Sequence, residues 1–398
     1  MASRAALKVP AVVVRLVGQV HRVVVRLVRR LAVANPQAAA LRRARAASRR
    51  AQAAQATVAH QQRAGARVVR ASQPASKRRR LYWLVRAALL LFVLANVVAF
   101  NHAWRFTHFS AEVGRHTANP EQLSLAEKLW VLATGICNPK PVNAGLPAFA
   151  YRTVKISSPN GRLESWYSPV PQARGTVALF HGYTSDKSRL LREAAYFRHL
   201  GYSVLLTDFA GAGGSEGYRI TVGYREAYDV AAAVRWLQLQ YPRQCIVLYG
   251  VSMGAVAILR AESELGVQAA ANIIECPYGS MLQTAQNRFA FMGIPAFPMA
   301  NLLVFWGGVQ NGFWAYGLSA EAYAANIKTP TLLMWGTADP RVTRQETDAV
   351  FAALGGPKQR HDFAGSGHEP YWRKHEAEWR RTTEEFLLRT GTAAASTN

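Results

Sequence analysis

Cys245-Ile246-Val247-Leu248-Tyr249-Gly250-Val251-Ser252-Met253-Gly254 is the stretch on which the reading of this chain turns. The apolar run Cys245–Tyr249 predicts a strand, and Met253–Leu265 predicts a helix. Between them stands G-x-S-x-G. Small residues at both ends let a strand turn sharply into a helix, and that turn lifts the serine hydroxyl above the edge of a sheet. The helix N-terminus beneath it supplies backbone N–H donors where an anion would form. The pentapeptide alone is a weak signal. The strand before it and the helix after it make Ser252 a candidate nucleophile.

A serine hydroxyl needs a base. Of the ten histidines, His21 and His60 lie far towards the N-terminus, and His102, His108 and His116 precede the predicted domain. His368 follows Gly365-Ser366-Gly367, a loop after the last predicted strand and before the final helix, from which an imidazole can reach Ser252. His361 and His375 read as surface or internally satisfied residues, and His199 ends a helix. The base needs an orienting acid, expected between Ser and His in chain order. Asp339 fits, in the turn Gly336-Thr337-Ala338-Asp339-Pro340 after the strand Thr331–Trp335. Glu275 is the reserve acid. Asp348, on a helix, and Asp362, in a strand, are poorer. His181-Gly182-Tyr183 ends the strand Thr176–Phe180. The Tyr183 and Met253 backbone N–H groups are the candidate oxyanion donors, and His181 reads as a structural loop residue.

Around these residues strands and helices alternate. Tyr151–Ser157 and Leu163–Ser168 flank Pro159-Asn160-Gly161, a hairpin signal. Then come strands at Thr176–Phe180, Ser203–Leu206, Cys245–Tyr249, Ala270–Ile274, Thr331–Trp335 and Gln359–Phe363. Helices are predicted over Ser188–Leu200, Tyr224–Gln240, Met253–Leu265, Arg344–Leu354 and Tyr371–Arg389. Near-continuous apolar strands fit a parallel sheet covered on both faces. Residues 277–327 interrupt the alternation and predict an inserted cap. Its Met281, Phe289, Phe291, Met292, Phe297, Met299, Phe305, Trp306, Phe313 and Trp314 are expected to build the cap's own core or the pocket wall. Glu321 is its only carboxylate, which favours acyl or aromatic groups over a peptide N-terminus.

Residues 151–390 resemble the α/β-hydrolase superfamily, and within it the serine-aminopeptidase-like and monoacylglycerol-lipase-like branch. The resemblance rests on His181-Gly182, Asp208-Phe209-Ala210-Gly211-Ala212-Gly213-Gly214-Ser215, Gly250–Gly254, Asp339 and His368. It implies an α/β fold with a mostly parallel central sheet, helices on both faces and an inserted cap. It further implies hydrolysis through a Ser252-Asp339-His368 triad but specifies no substrate; the apolar cap points to a small-molecule ester or acyl substrate, and a membrane anchor before the domain would bring lipid-derived esters or thioesters within reach. A peptidase or amidase is the second reading, and an idle hydrolase fold used as a binding module the third. The chain departs from the family pattern at Ala210, where Arg is frequent. The glycine-rich loop is not a dinucleotide fingerprint, because Glu216 stands where the third glycine belongs. No Walker A, H-E-x-x-H or paired-cysteine motif occurs, so no cofactor or metal is expected.

The chain has 48 Lys plus Arg against 23 Asp plus Glu, a formal charge of +25. Nineteen of the basic residues and none of the acidic ones fall in residues 1–80, and the first carboxylate is Glu112. The charge therefore describes a tail and not the domain, which removes the argument for a nucleic-acid binder; no aromatic is interleaved in the tail for base stacking. Residues 12–31 carry apolar and arginine faces at helical spacing, as in a helix lying on an anionic bilayer. After Lys77-Arg78-Arg79-Arg80, eighteen of the twenty residues 81–100 are apolar or aromatic, Arg86 and Asn96 excepted. About 20 such residues match the hydrocarbon core of a bilayer, and Tyr82, Trp83 and Trp104 sit where interfacial aromatics belong. This predicts one uncleaved transmembrane helix with the tail cytoplasmic and the hydrolase domain on the outer side. Residues 101–150 are expected to be a connector, with one short helix over Leu123–Leu132, and 391–398 a disordered terminus. Three cysteines exclude a disulfide scaffold or a four-thiolate zinc site. Cys245 and Cys276 are expected to be buried fillers, and Cys137 to be exposed.

Overall fold

The computed structural model describes residues 75–111, 117 and 123–391. The expectations for residues 1–74, the surface helix at 12–31 among them, and for 392–398 lie outside the described residues. The chain divides into two units, Met1–Arg86 and Ala87–Asn398.

The N-terminal element is helix α1, Ala75–Thr107. Its Arg79–Thr107 part is long and apolar enough to cross a membrane, and almost none of its most apolar stretch is buried. The helix runs seven residues past the expected end of the span. Those last turns are held to the domain: Asn101 Nδ2 donates to Thr134 O (3.1 Å), and Ala99 and Ala103 are buried. Thr134 ends α2 (Leu125–Thr134), which starts at a capping box between Ser124 and Glu127. The connector is packed against the domain as well as linking to it. Phe109 is buried in the same core as Ala178, Phe180 and Leu205, and Asn143 Nδ2 donates to Asp208 Oδ2.

The domain is built on one eight-stranded sheet. Its strands are β1 (Arg152–Ser158), β2 (Gly161–Ser168), β3 (Thr176–Phe180), β4 (Ser203–Thr207), β5 (Ile246–Val251), β6 (Ala271–Glu275), β7 (Thr331–Gly336) and β8 (Lys358–Phe363), in the order β1-β2-β4-β3-β5-β6-β7-β8. β1 and β2 form the expected hairpin and β2 meets β4 antiparallel; every pairing from β4 to β8 is parallel. Burial on both faces explains the apolar strands. β3, β4, β6 and β7 are buried at every position.

Alternate strand residues face two helical layers. Val177, Leu179, Val247, Tyr249 and Ile273 pack with α3 (Leu191–His199) and α10 (Trp372–Arg389). Ala178, Phe180, Ile246 and Leu248 pack with α4 (Glu226–Gln240) and α5 (Met253–Leu265). α9 (Arg344–Ala353) joins that second layer through Val350.

Residues 277–327 hold no strand. They form α6 (Met281–Phe291), α7 (Met299–Asn311), a short 3-10 turn and α8 (Ala320–Ala324). The expectation that the cap's large apolar residues line its core or the pocket needs correcting. Phe291, Met292, Phe297, Phe305 and Trp314 are exposed on its surface.

Candidate active site

Strand order reverses between β3 and β5, with β4 on one side and β6 on the other. Such a switch point leaves a crevice at the carboxyl ends of the strands, where ligands of open α/β sheets bind. Ser252 stands there, between β5 and α5. Its backbone has φ +52° and ψ −109°, a conformation that costs a non-glycine residue about 1–3 kcal/mol and persists only where the surroundings enforce it. They do. The Ser252 N–H donates to Glu275 O at the end of β6 (2.8 Å). The flanking glycines allow the close approach: a Cβ on Gly254 would stand 2.4 Å from Phe180 O, and one on Gly250 2.7 Å from Gly254 C.

His368 and Asp339 come to this serine from two other loops, 116 and 87 residues away in sequence. His368 Nε2 lies 3.1 Å from Ser252 Oγ, and His368 Nδ1 lies 2.7 Å from Asp339 Oδ2. The other Asp339 oxygen, Oδ1, accepts the N–H groups of Arg341 (2.8 Å) and Val342 (3.0 Å). The Asp339 side chain is fully buried. A buried carboxylate with both oxygens engaged can fix one imidazole tautomer and orient the ring. The two loops are also tied to each other, since Ala338 N donates to Ser366 O (2.9 Å) and Gly365 N to Thr337 Oγ1 (2.9 Å).

The loop after β3 passes beside the serine. A Cβ on Gly182 would lie 3.7 Å from Ser252 Cβ. The Tyr183 side chain is fully used elsewhere: its hydroxyl donates to Phe106 O (2.8 Å) and accepts from Asn138 Nδ2 (3.1 Å). Only its backbone is left to face a ligand. Met253 is the first residue of α5, so its N–H has no acceptor within the helix. His181 is buried, and its Nε2 accepts the Phe209 N–H (3.1 Å). Burial lowers its pKa, which suits a neutral acceptor.

Glu275, the reserve acid, points elsewhere. Its Oε1 accepts from Tyr249 Oη (2.7 Å) and Trp379 Nε1 (2.6 Å) on the opposite face of the sheet from α5, and burial pushes its pKa up to about 7. His361 and His375 both pair with Glu378 on α10. Cys245 is half-buried, with its thiol on Arg174 O.

Two features were not legible beforehand. Cys276 follows Glu275, and its sulfur falls within 4.8 Å of donor atoms of Asp339 and His368. The Asp339–His368 hydrogen bond already occupies two of those three groups, so a cation could enter only by breaking it. The second is a clamp under the glycine-rich loop. The Asp208 carboxylate receives Lys187 Nζ (2.5 Å), Lys187 N (2.8 Å) and Gly214 N (2.9 Å). Lys187 also meets Glu164 (2.9 Å). Burial raises the Asp208 pKa; the charge and hydrogen bonds of Lys187, together with His181, hold the carboxyl below its usual value. A Cβ on Gly213 would fall 1.9 Å from Asp208 Oδ2. The glycines thus make room for a carboxylate, which explains the loop without a nucleotide.

Residues 171–296 match the family described as Serine aminopeptidase, S33. The Pyrococcus furiosus esterase Pf2001 superimposes with a TM-score of 0.54 at 25% identity, over 63% of this chain and 96% of that one. The chain has the α/β-hydrolase fold. This α/β hydrolase is a serine hydrolase. It is also 26% identical to an uncharacterized Bacillus subtilis protein, YqkD, over 53% of this chain and 70% of that one. An uncharacterized Mycobacterium tuberculosis protein is 28% identical over 55% and 73%.

Proposed function

We propose that this hydrolase cleaves carboxylic esters, lipid-derived esters or thioesters among them, at Ser252. The observation that carries the reading is the unbroken hydrogen-bonded line from Ser252 through His368 to Asp339, at 3.1 and 2.7 Å. Ser252 Oγ attacks the acyl carbon as His368 Nε2 takes its proton. The oxyanion is received by the Tyr183 and Met253 N–H groups. Collapse expels the alkoxide, which takes the proton from His368, and an acyl-Ser252 ester remains. Water then attacks that ester with His368 again as base, releasing the acid and free Ser252. Asp339 stays ionised and stabilises the imidazolium.

An esterase among the similar structures and a cap with a single carboxylate, Glu321, support esters as the substrate class. The serine aminopeptidase description of the matching family supports amide cleavage as the second reading. A panel of acyl esters and aminoacyl amides separates the two: the reading expects faster ester turnover, and faster amide cleavage would reverse it. A fluorophosphonate probe is expected to label the wild type and not Ser252→Ala.

We further read α1 as a single membrane span, with the basic tail in the cytoplasm and the domain outside. Its length and apolar composition support the span, and the arginines before Leu81 support the direction. A thiol tag in the domain is expected to react with an impermeant reagent in intact cells; reaction only after permeabilisation would contradict this.

A further inference from the structure

The outer surface of the cap is unlike the rest of the domain. Phe291, Met292, Ile294, Phe297, Phe305 and Val309 are exposed, Phe297 at 78%. Between Glu275 and Glu321 the only charged side chain is Arg288. A water-facing surface carries charge on about a quarter of its residues, and contiguous apolar patches mark contact with a partner or a membrane.

α7 lies directly against α1. Trp306 Nε1 donates to Asn96 Oδ1 (3.1 Å), and Gln310 Nε2 donates to Phe100 O (2.7 Å). The Phe100 and Trp306 rings meet edge to face at 5.2 Å. The two contacts are one helical turn apart on both helices, and in the same direction. At 1.5 Å per residue, the start of α7 at Met299 therefore lies about 10 Å back from Trp306, towards the middle of α1. The Phe291–Pro298 connection comes before it. The part of α1 at this level is the exposed run Leu89–Leu94. Phe305 and Val309 are one turn apart and adjoin the Trp306–Gln310 stripe that faces α1.

We propose that the cap is immersed in the lipid bilayer: the Phe291–Pro298 connection and the Phe305–Val309 face of α7 sit in hydrocarbon beside α1, so that an acyl substrate reaches Ser252 from the leaflet. The proposal rests on α1 being a membrane span. Continuity with that helix is what selects lipid over a second copy of the chain as the occupant. An apolar, uncharged segment that runs alongside a spanning helix towards its middle is already at the depth of acyl chains. The Trp306–Asn96 and Gln310–Phe100 hydrogen bonds then join the two helices in a place where water is scarce.

The test uses the full chain reconstituted in phosphatidylcholine vesicles. Phe297→Cys and Leu239→Cys are each labelled with a thiol-reactive NBD fluorophore. Leu239 is 70% exposed on α4 and serves as the water-facing control. The unsubstituted chain measures labelling of the native thiols. Lipids with a doxyl group on the acyl chain are expected to quench the probe at 297 at least threefold more than the probe at 239. Equal quenching at the two sites would overturn the proposal. So would a probe at 297 that resists both doxyl lipid and aqueous iodide, because a second copy would then cover this face. Fluorophosphonate labelling of Ser252 in the same vesicles tests the hydrolase reading separately, and vesicle flotation tests the span. A chain that labels and floats, yet shows equal quenching, sinks the cap proposal alone. A chain that labels but does not float sinks the span and the cap proposal together.

Discussion

The carboxyl edge of the sheet and the cap are both rich in apolar residues and differ in how far they bury them. Four of the sheet's strands are buried at every residue, whereas α6 in the cap buries none. Glycines show the contrast in part. A Cβ on Gly254 meets Phe180 O at 2.4 Å, while Gly293, Gly307 and Gly312 in the cap have nothing within 4 Å; Gly308, where α7 meets the following turn, is the tight one, 2.5 Å from Phe313 O. Close packing converts apolar sequence into fixed positions. In the sheet it holds three separated loops to hydrogen-bonding distance. In the cap, Phe291, Met292, Phe297, Phe305 and Trp314 remain outward, while Val304, Leu318 and Tyr323 are buried.

The largest expected effect breaks the sheet side of this contrast at its chemistry. Ser252→Ala or His368→Ala should lower ester turnover by roughly 10⁴–10⁶-fold, measured as kcat, with little change in melting temperature. Asp339→Asn should follow at roughly 10²–10⁴-fold, because the amide supports the wrong imidazole tautomer.

Two glycine substitutions sharpen the packing difference. Gly254→Val should destabilise the domain by about 1–3 kcal/mol or more in urea unfolding, since the side chain has nowhere to go. Gly307→Ala, in the middle of α7, should stabilise slightly, by about 0.5–1 kcal/mol, through helix propensity alone. A large loss at Gly307 would mean that the cap is packed as tightly as the sheet.

A subtler contrast is electrostatic. Burial raises Glu275 to about 7 and Glu193 to about 8. A carboxyl whose pKa is higher in the folded chain than in the unfolded one, where it is about 4.3, takes up a proton on folding in the window between. Its contribution to stability is then complete below about pH 4 and is lost as pH rises through about 7. Glu275→Gln, which imitates the protonated acid, should flatten that slope. It should gain on the order of 2 kcal/mol relative to wild type above pH 8, with little difference at pH 4, as read from denaturant midpoints.

The sheet was legible because buried parallel strands appear as short apolar runs bounded by turns, and because Ser252 and Asp339 each stand just after such a run; His368 follows the polar edge strand β8, in which only Phe363 is buried. Strand ends shifted by a residue or two: β5 begins at Ile246, so Cys245 lies outside it. The Lys187–Asp208–Glu164 clamp was not legible, since its members are 21 and 23 residues from Lys187 and follow no period. Nor was the hold of Phe106 and Asn138 on Tyr183. In the cap, the sequence showed that the strand pattern stops but did not mark the helices, and nothing in it separates an apolar residue that stays exposed from one that packs in a core. The Trp306–Asn96, Gln310–Phe100 and Phe100–Trp306 contacts came from the structure.

The most direct test of the central claim is to trap the intermediate. The protein is mixed with a p-nitrophenyl acyl ester, quenched in acid within the first turnover and digested, and the peptide containing Ser252 is weighed. The account predicts that this peptide gains the mass of one acyl group in the wild type, and that His368→Ala gives none on the same time scale. An acyl group found on another residue, or steady turnover with Ser252 never modified, would contradict it.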